Sequence, residues 1–218
     1  YIDSIGRLEK ELGHKIPYVI ANDGDVTALA GANDLKDNCV LGVAMGTSEA
    51  GGYINSDGNL NSWLSELAFV PVDFQDNAPE DEWSKDLGVG CKYFSQDAVI
   101  RLAPVAGIKL DESLSLGEKL KVVQELMNKD DERAKKIYET IGVYLGYTLG
   151  YYAKFYEIKH LMLLGRVMSG KGGDIILETA KSVVKQELPK LAHVNICTPS
   201  EYMRRVGQSI AAASLADC

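Results

Sequence analysis

The chain has 218 residues, a net charge of −8, 46% hydrophobic residues and 25% charged residues. This composition allows a globular core, while the acidic balance, with no Lys/Arg cluster to offset it, excludes a general grip on nucleic acid. The longest uncharged run, Ile141 to Ala153, is too short for a membrane span of about 20 residues.

The four cysteines, Cys39, Cys91, Cys197 and Cys218, form no CxxC pair. A disulfide framework is not expected in so long a chain, and thiols in a reducing cytoplasm are. The chain opens Tyr1-Ile2-Asp3 without a signal peptide or an initiating Met, which reads as the boundary of a fragment of a cytoplasmic protein.

In chain order, Ile5, Leu8 and Leu12 predict an amphipathic helix over Ile2 to Leu12, closed by Gly13. Pro17 to Ala21 is a short β-rich run ended by Asn22-Asp23-Gly24-Asp25. A helix capped by Asp25 is expected over Val26 to Ala32. Cys39 to Ala44 and Gly51 to Ile54 predict two antiparallel strands joined through Gly46-Thr47-Ser48, with a turn at Asn55 to Gly58.

Val70 to Gly90 is acidic, irregular and Pro-containing, a long surface excursion. Helices are expected over Ser95 to Val105 and Leu116 to Met127. A longer one, capped by Asp130-Asp131, is expected to run to about Tyr156. Its glycines Gly142, Gly146 and Gly150 form a stripe that lets another element approach closely. His160 to Leu164 has the continuous apolar pattern of a buried strand. A glycine-rich connector follows, then a helix over Asp174 to Leu188, a strand over Ala192 to Cys197 and a helix over Arg204 to Leu215. The alternation implies α/β packing.

Four constellations can carry chemistry. Asn22-Asp23-Gly24-Asp25 lies at a strand end, where open α/β sheets place ligands, and a carboxylate there can serve as general base toward a hydroxyl. The more ordinary reading of the same residues is a turn with helix capping, with Asp25 as the cap. Gly46-Thr47-Ser48 offers backbone N–H groups and hydroxyls to a phosphate, or is a plain hairpin turn. Gly165-Arg166-Val167 with Gly170, Gly172 and Gly173 lies between a buried strand and a helix, which suits a nucleotide or a bare connector. Glu66, between Leu64 and Leu67, can accept hydrogen bonds from sugar hydroxyls or face solvent at an edge. His14, His160 and His193 are scattered and near no Cys, so they predict no metal site.

The order of these signals is more specific than any one of them. Asn22-Asp23 with Ala28-Leu29-Ala30, Gly46-Thr47-Ser48 with Gly51-Gly52, Asp57-Gly58, Glu66, Gly90-Cys91, Leu164-Gly165 and the closing Gly207-Gln208-Ser209-Ile210 together resemble the ROK family of bacterial sugar kinases and repressors. The likeness runs from Tyr1 nearly to the end. It implies an actin-like, ribonuclease-H-like ATPase fold, with a mixed β-sheet flanked by helices.

It also implies ATP-dependent phosphoryl transfer to a hexose or related sugar, with Mg²⁺ arriving on the nucleotide. By the resemblance, Asp23 is the general base and Asn22 and Glu66 bind the sugar. Gly46, Thr47 and Ser48 hold phosphate. Gly165, Arg166, Val167, Gly170 and Gly172 hold the nucleotide. The alternative is a non-catalytic sugar-sensing transcriptional regulator of the same fold. Partners are then a small sugar and ATP, with no nucleic acid through this segment, no membrane, and a homodimer left open.

The departures from the family pattern are specific. The family's sugar-binding, zinc-associated His falls on Phe69, its Cys-rich run is reduced to Cys91, and the Glu two residues after that Cys falls on Tyr93. Ser48 replaces the second Gly of the phosphate loop. No structural zinc is therefore expected. Nothing resembles the family's opening Asp-x-Gly-Gly-Thr strand, so the resemblance implies a first domain missing or truncated. Residues 1–35 are expected to hold its end and the catalytic loop, and residues 36–218 a C-terminal nucleotide- and sugar-binding domain. The 218-residue chain alone is expected to be inactive.

Overall fold

The computed structural model describes residues 2–16, 18, 21–61 and 65–214. At its centre is a mixed sheet of four strands: β1 (Val40–Met45), β2 (Glu49–Ile54), β3 (His160–Leu164) and β4 (Asn195–Cys197). The spatial order is β2-β1-β3-β4. Strands β1 and β2 form an antiparallel hairpin with Met45 opposite Glu49, whereas β1, β3 and β4 run parallel.

Alternation along the strands supplies both faces of the sheet. Leu41, Val43, Tyr53, Leu161 and Leu163 enter the larger core, while Val40, Ile54 and Met162 face the other way and pack with Ala28. A sheet covered on both faces needs apolar residues at successive positions, which is why these strands read as continuous apolar runs. The smaller layer is built on α2 (Asp23–Leu35), against which α7 (Glu201–Ser214) packs. The larger layer holds α3 (Gln96–Val105), α4 (Leu116–Asn128), α5 (Glu132–Tyr152) and α6 (Lys171–Glu187). The amphipathic α1 (Ile2–Leu12) precedes them.

Caps define the helix starts. Ser115 and Glu118 make a reciprocal capping box on α4, and the Asp131 side chain accepts the Arg133 N–H on α5. The glycine stripe of α5 is a packing seam against α6. A Cβ at Gly142 would lie 2.7 Å from Thr179 Cβ, one at Gly146 2.6 Å from Val183 Cβ, and one at Gly150 2.8 Å from Leu188 Cδ1. Among the described residues no helix is long and apolar enough to cross a membrane.

Several boundaries differ from those the sequence suggests. The cap of α2 is Asn22, not Asp25: its side chain accepts the Gly24 N–H, so the helix begins three residues earlier. Helix α5 ends at Tyr152 rather than Tyr156, because the chain tightens into turns in which Lys154 and Phe155 donate to Tyr151 and Tyr152 carbonyls. Helix α6 begins at Lys171 and absorbs the last glycines of the connector, and α7 begins at Glu201. Pro17, Val19 and Ile20 of the β-rich run, and Leu215 at the end of the expected last helix, lie outside the described residues.

The excursion at Val70 to Gly90 folds back on itself. Val72 N–H donates to Gly88 O at 2.8 Å, Gly90 N–H to Val70 O at 3.0 Å, and Pro71 bridges Val89. The hydrogen bonds make it a framed surface structure and not a loose loop.

Candidate active site

The parallel strands β1 and β3 end side by side at Met45 and Leu164, and the two glycine-bearing loops leave the sheet at these ends. Ligands of open α/β sheets bind at such carboxyl ends. Gly165 has φ 103°, and a Cβ there would lie 2.4 Å from Met45 O, so only glycine lets the second loop run against the first. The hairpin tip is closed by Gly46 N–H donating to Ser48 O at 3.0 Å, and Gln96 N–H at the start of α3 donates to Gly46 O at 2.8 Å. Thr47 and Ser48 are exposed at this tip.

A cleft of about 320 Å³ opens where these loops meet α2 and α7. Gly46, Gly165, Arg166 and Ser169 form one side, and Ala30 and Met203 contribute apolar surface. A concave, mostly apolar pocket with a few polar groups at its rim suits a nucleoside. The rest of the second loop lies elsewhere. Val167 is wholly buried in the core. Gly170 is the exposed, left-handed residue that starts α6, and Gly172 is pressed on the Tyr138 ring, where a Cβ would come within 2.5 Å. Those glycines answer to backbone conformation and packing.

The expected sugar-side residues gather on the edge strand β2. The N-terminus of α2 crosses it glycine on glycine: a Cβ at Gly24 would lie 2.0 Å from Gly51 O, and one at Gly52 would lie 2.1 Å from Gly24 O. The close crossing seats Asn22 and Asp23 at the strand. Asn22 Oδ1 and Asp23 Oδ1 share the Gly24 N–H at 2.8 and 3.0 Å, and Asp23 is exposed. The capping bond leaves the Asn22 side-chain N–H groups for other partners. Asp25, half-buried, has its carboxyl raised above the ordinary value by burial.

From the opposite face of β2, the segment around Glu66 meets the same strand. A Cβ at Gly51 would lie 2.6 Å from the Leu67 side chain and 3.0 Å from Ser65 O. Glu66 is exposed at the head of a 3₁₀ turn, Leu67–Phe69, while Ser65 is buried and accepts a hydrogen bond from the Tyr156 hydroxyl at 3.3 Å. Gly51 to Ser48 is three residues, about 10 Å of strand. The strand thus connects Asp23 and Glu66 to the hairpin tip.

Where the family pattern has a zinc-associated His, Phe69 packs on a small apolar cluster of Ala68, Val89 and Cys91. Burial pushes the Cys91 thiol up to about 12, and it lies 3.5 Å from Asp81 Oδ1. Among the described residues, no group of three or more His, Cys, Asp or Glu side chains is arranged to hold a metal.

With this geometry the chain superimposes on solved structures of ROK proteins. A ROK family glucokinase from Streptomyces griseus, solved with glucose and AMPPNP, matches with a TM-score of 0.70 at 15% identity over 98% of this chain and 72% of that one. The chain shares the fold of that kinase. A ROK hexokinase from Thermus thermophilus matches with a TM-score of 0.72 at 16% identity, over 98% of this chain and 70% of that one. A ROK family transcriptional regulator, described as a homolog of the Escherichia coli MLC protein, has a TM-score of 0.70 at 16% identity, over 98% of this chain and 55% of that one. No protein-family model matches the sequence, and no curated protein does. The ROK fold thus includes both kinases and a regulator among its matches, and the fold alone does not choose between them.

Three features escaped the reading of the sequence. The first is the Gly24–Gly51–Gly52 crossing, signalled by two glycines inside a strand. The second is Glu49, a buried acid directly after Ser48. The third is Trp83, exposed beside Phe69.

Proposed function

We propose that this chain is the nucleotide- and sugar-binding portion of an ATP-dependent sugar kinase, transferring a phosphoryl group to a hydroxyl of a hexose or related sugar. The observation that carries the reading is the exposed Asp23 carboxylate, seated by the glycine crossing on the same strand that leads to the Gly46–Ser48 tip. Asp23 takes the proton of the attacking hydroxyl. Asn22 and Glu66 hold neighbouring hydroxyls and so fix the acceptor's orientation.

The nucleoside occupies the cleft between Gly46, Gly165 and α7, and the Thr47 and Ser48 hydroxyls and N–H groups receive phosphate oxygens. Arg166 stands at the cleft rim. Mg²⁺, bound with the nucleotide, supplies charge neutralisation for the transfer, which depends on positioning and electrostatics more than on covalent chemistry. In this reading residues 1–35 bring the catalytic turn from the end of a first domain onto the C-terminal α/β domain of residues 36–218.

A second reading, a sugar-sensing regulator without catalysis, is favoured by one observation: Phe69 stands where the family pattern has a sugar-binding His. The test is a phosphorylation screen of the full-length protein against a panel of sugars with ATP and Mg²⁺. Turnover with any sugar, abolished by Asp23→Asn, establishes the kinase. Binding of sugar without turnover establishes the sensor.

A further inference from the structure

Trp83 is 82% exposed, yet its backbone is firmly held. Asp81 Oδ2 accepts the N–H groups of Trp83 at 3.1 Å and Ser84 at 2.7 Å. Asp81 N–H donates to Asp86 O, and Lys85 N–H returns to Asp81 O at 3.0 Å. The next residue back, Glu82, is tied to Lys92 Nζ at 3.0 Å, and that buried ammonium also binds Asp97 at 2.7 Å. A single exposed aromatic side chain is ordinary, and it becomes informative only where a second apolar side chain extends it into a patch.

Its neighbour is Phe69. The two ring centroids are 5.4 Å apart with planes 37° apart, so Phe69 backs one side of the exposed Trp83 ring system and leaves its other side to solvent. Phe69 is backed by Ala68, Val89 and Cys91, so the surface cannot fold inward. Phe69 N–H donates to the Glu66 carbonyl at 3.3 Å, so the exposed Glu66 and Phe69 share one 3₁₀ turn, against which Trp83 packs from the Asp81 turn.

We propose that Phe69 and Trp83 form a stacking platform for the C–H face of a pyranose ring whose hydroxyls are held by Glu66; this rests on the sugar-binding reading above. A pyranose has an apolar face of ring hydrogens and a rim of hydroxyls, and an aromatic face beside a carboxylate complements both. The platform substitutes apolar contact for the hydrogen bonding of the absent His. It selects for cyclic sugars with a contiguous C–H face, such as β-configured gluco- or galacto-pyranoses and their glycosides, over open-chain polyols that have none.

The experiment is calorimetric titration of the full-length protein with a panel of pyranoses and the matching alditols, on wild type, Trp83→Ala, Trp83→Phe and Glu66→Gln, with circular dichroism to confirm folding. Wild type is expected to prefer pyranose to alditol. Trp83→Ala is expected to weaken pyranose binding about tenfold and Trp83→Phe less, in the range of aromatic stacking contributions. In turnover, the Trp83→Ala loss is expected in KM with kcat little changed. Pyranose binding that is weakened by Glu66→Gln but unaffected by Trp83→Ala overturns the platform and leaves the sugar site standing. Alditols bound as tightly as pyranoses overturn it too. A wild-type protein that binds no pyranose overturns the sugar-binding reading and the platform with it.

Discussion

The hydroxyl of Tyr152 lies 3.5 Å from Oε1 of Glu49, and both side chains are buried. Oε2 of Glu49 has no hydrogen-bond partner. It sits where a Cβ at Gly90 would be only 2.1 Å away. A carboxyl so enclosed resists ionisation, and burial pushes it up to about 8 from an ordinary 4.5. Its titratable neighbours, Cys91 on the far side and Tyr152 on α5, are themselves raised, so they supply no charge to stabilise the anion. At neutral pH Glu49 is therefore a protonated acid at the foot of the Gly46–Ser48 tip.

This sets a pH dependence with a definite sign. The folded chain keeps a proton that the unfolded chain releases near 4.5. Folding is therefore most favoured by this group below that value. Stability falls as pH rises toward about 8 and levels off above it. The loss across the window is on the order of a few kcal/mol. Glu49→Gln removes the titration while keeping the shape. Urea unfolding at intervals between pH 5 and pH 8.5 is expected to show a declining wild type and a flatter variant. Parallel profiles for the two proteins would show that Glu49 is ionised in the fold.

Asp23→Asn in the full-length protein is expected to lower turnover by about 10² to 10⁴-fold with little change in stability or sugar affinity. The amide still hydrogen-bonds the hydroxyl but cannot take its proton, and the residue is exposed at a helix start already capped by Asn22. Glu66→Gln is expected instead to raise KM with a smaller effect at saturating sugar. Asp25→Asn is the control, because Asp25 is partly withdrawn by burial. Turnover lost in Asp25→Asn but kept in Asp23→Asn would reassign the base.

Gly165→Ala and Gly172→Ala separate site from scaffold. The first forces a Cβ to 2.4 Å from Met45 O at φ 103°, the second to 2.5 Å from the Tyr138 ring. Each is expected to cost on the order of 2 kcal/mol or more. Only Gly165→Ala is expected to weaken binding of a non-hydrolysable ATP analogue in the protein that remains folded, because Gly165 lines the cleft and Gly172 does not. Equal loss of nucleotide binding in both would place the nucleoside away from this cleft.

Elemental analysis of purified protein is expected to find no stoichiometric zinc. Among the described residues no group of three or more His, Cys, Asp or Glu side chains is arranged to hold a metal, and Phe69 packs beside Cys91 in an apolar cluster. Zinc at one equivalent, removed by chelator with loss of folding, would overturn the reading of this cluster.

The sequence by itself determined most of the elements and named the candidate site residues. The apolar runs at Val40–Met45 and His160–Leu164 are strands because residues covered on both faces must be apolar at every position. Glycines at the ends of two apolar runs marked the two loops, and at Gly165 the glycine reports a close backbone approach, to Met45. Tertiary structure decided which of these signals share a place. Gly170 and Gly172 looked like Gly165 in the chain, but packing against Tyr138 and the start of α6 removed them from the cleft. Asp23 and Glu66 are 43 positions apart, and both are brought to β2 because α2 crosses that strand at Gly24 while Leu67 packs on Gly51 from its other face. The raised carboxyl of Glu49 and the exposure of Trp83 are likewise properties of surroundings and not of residue type. Proton affinity and stacking depend on what lies within a few ångströms in space, and neighbours in space are set by packing, not by order along the chain.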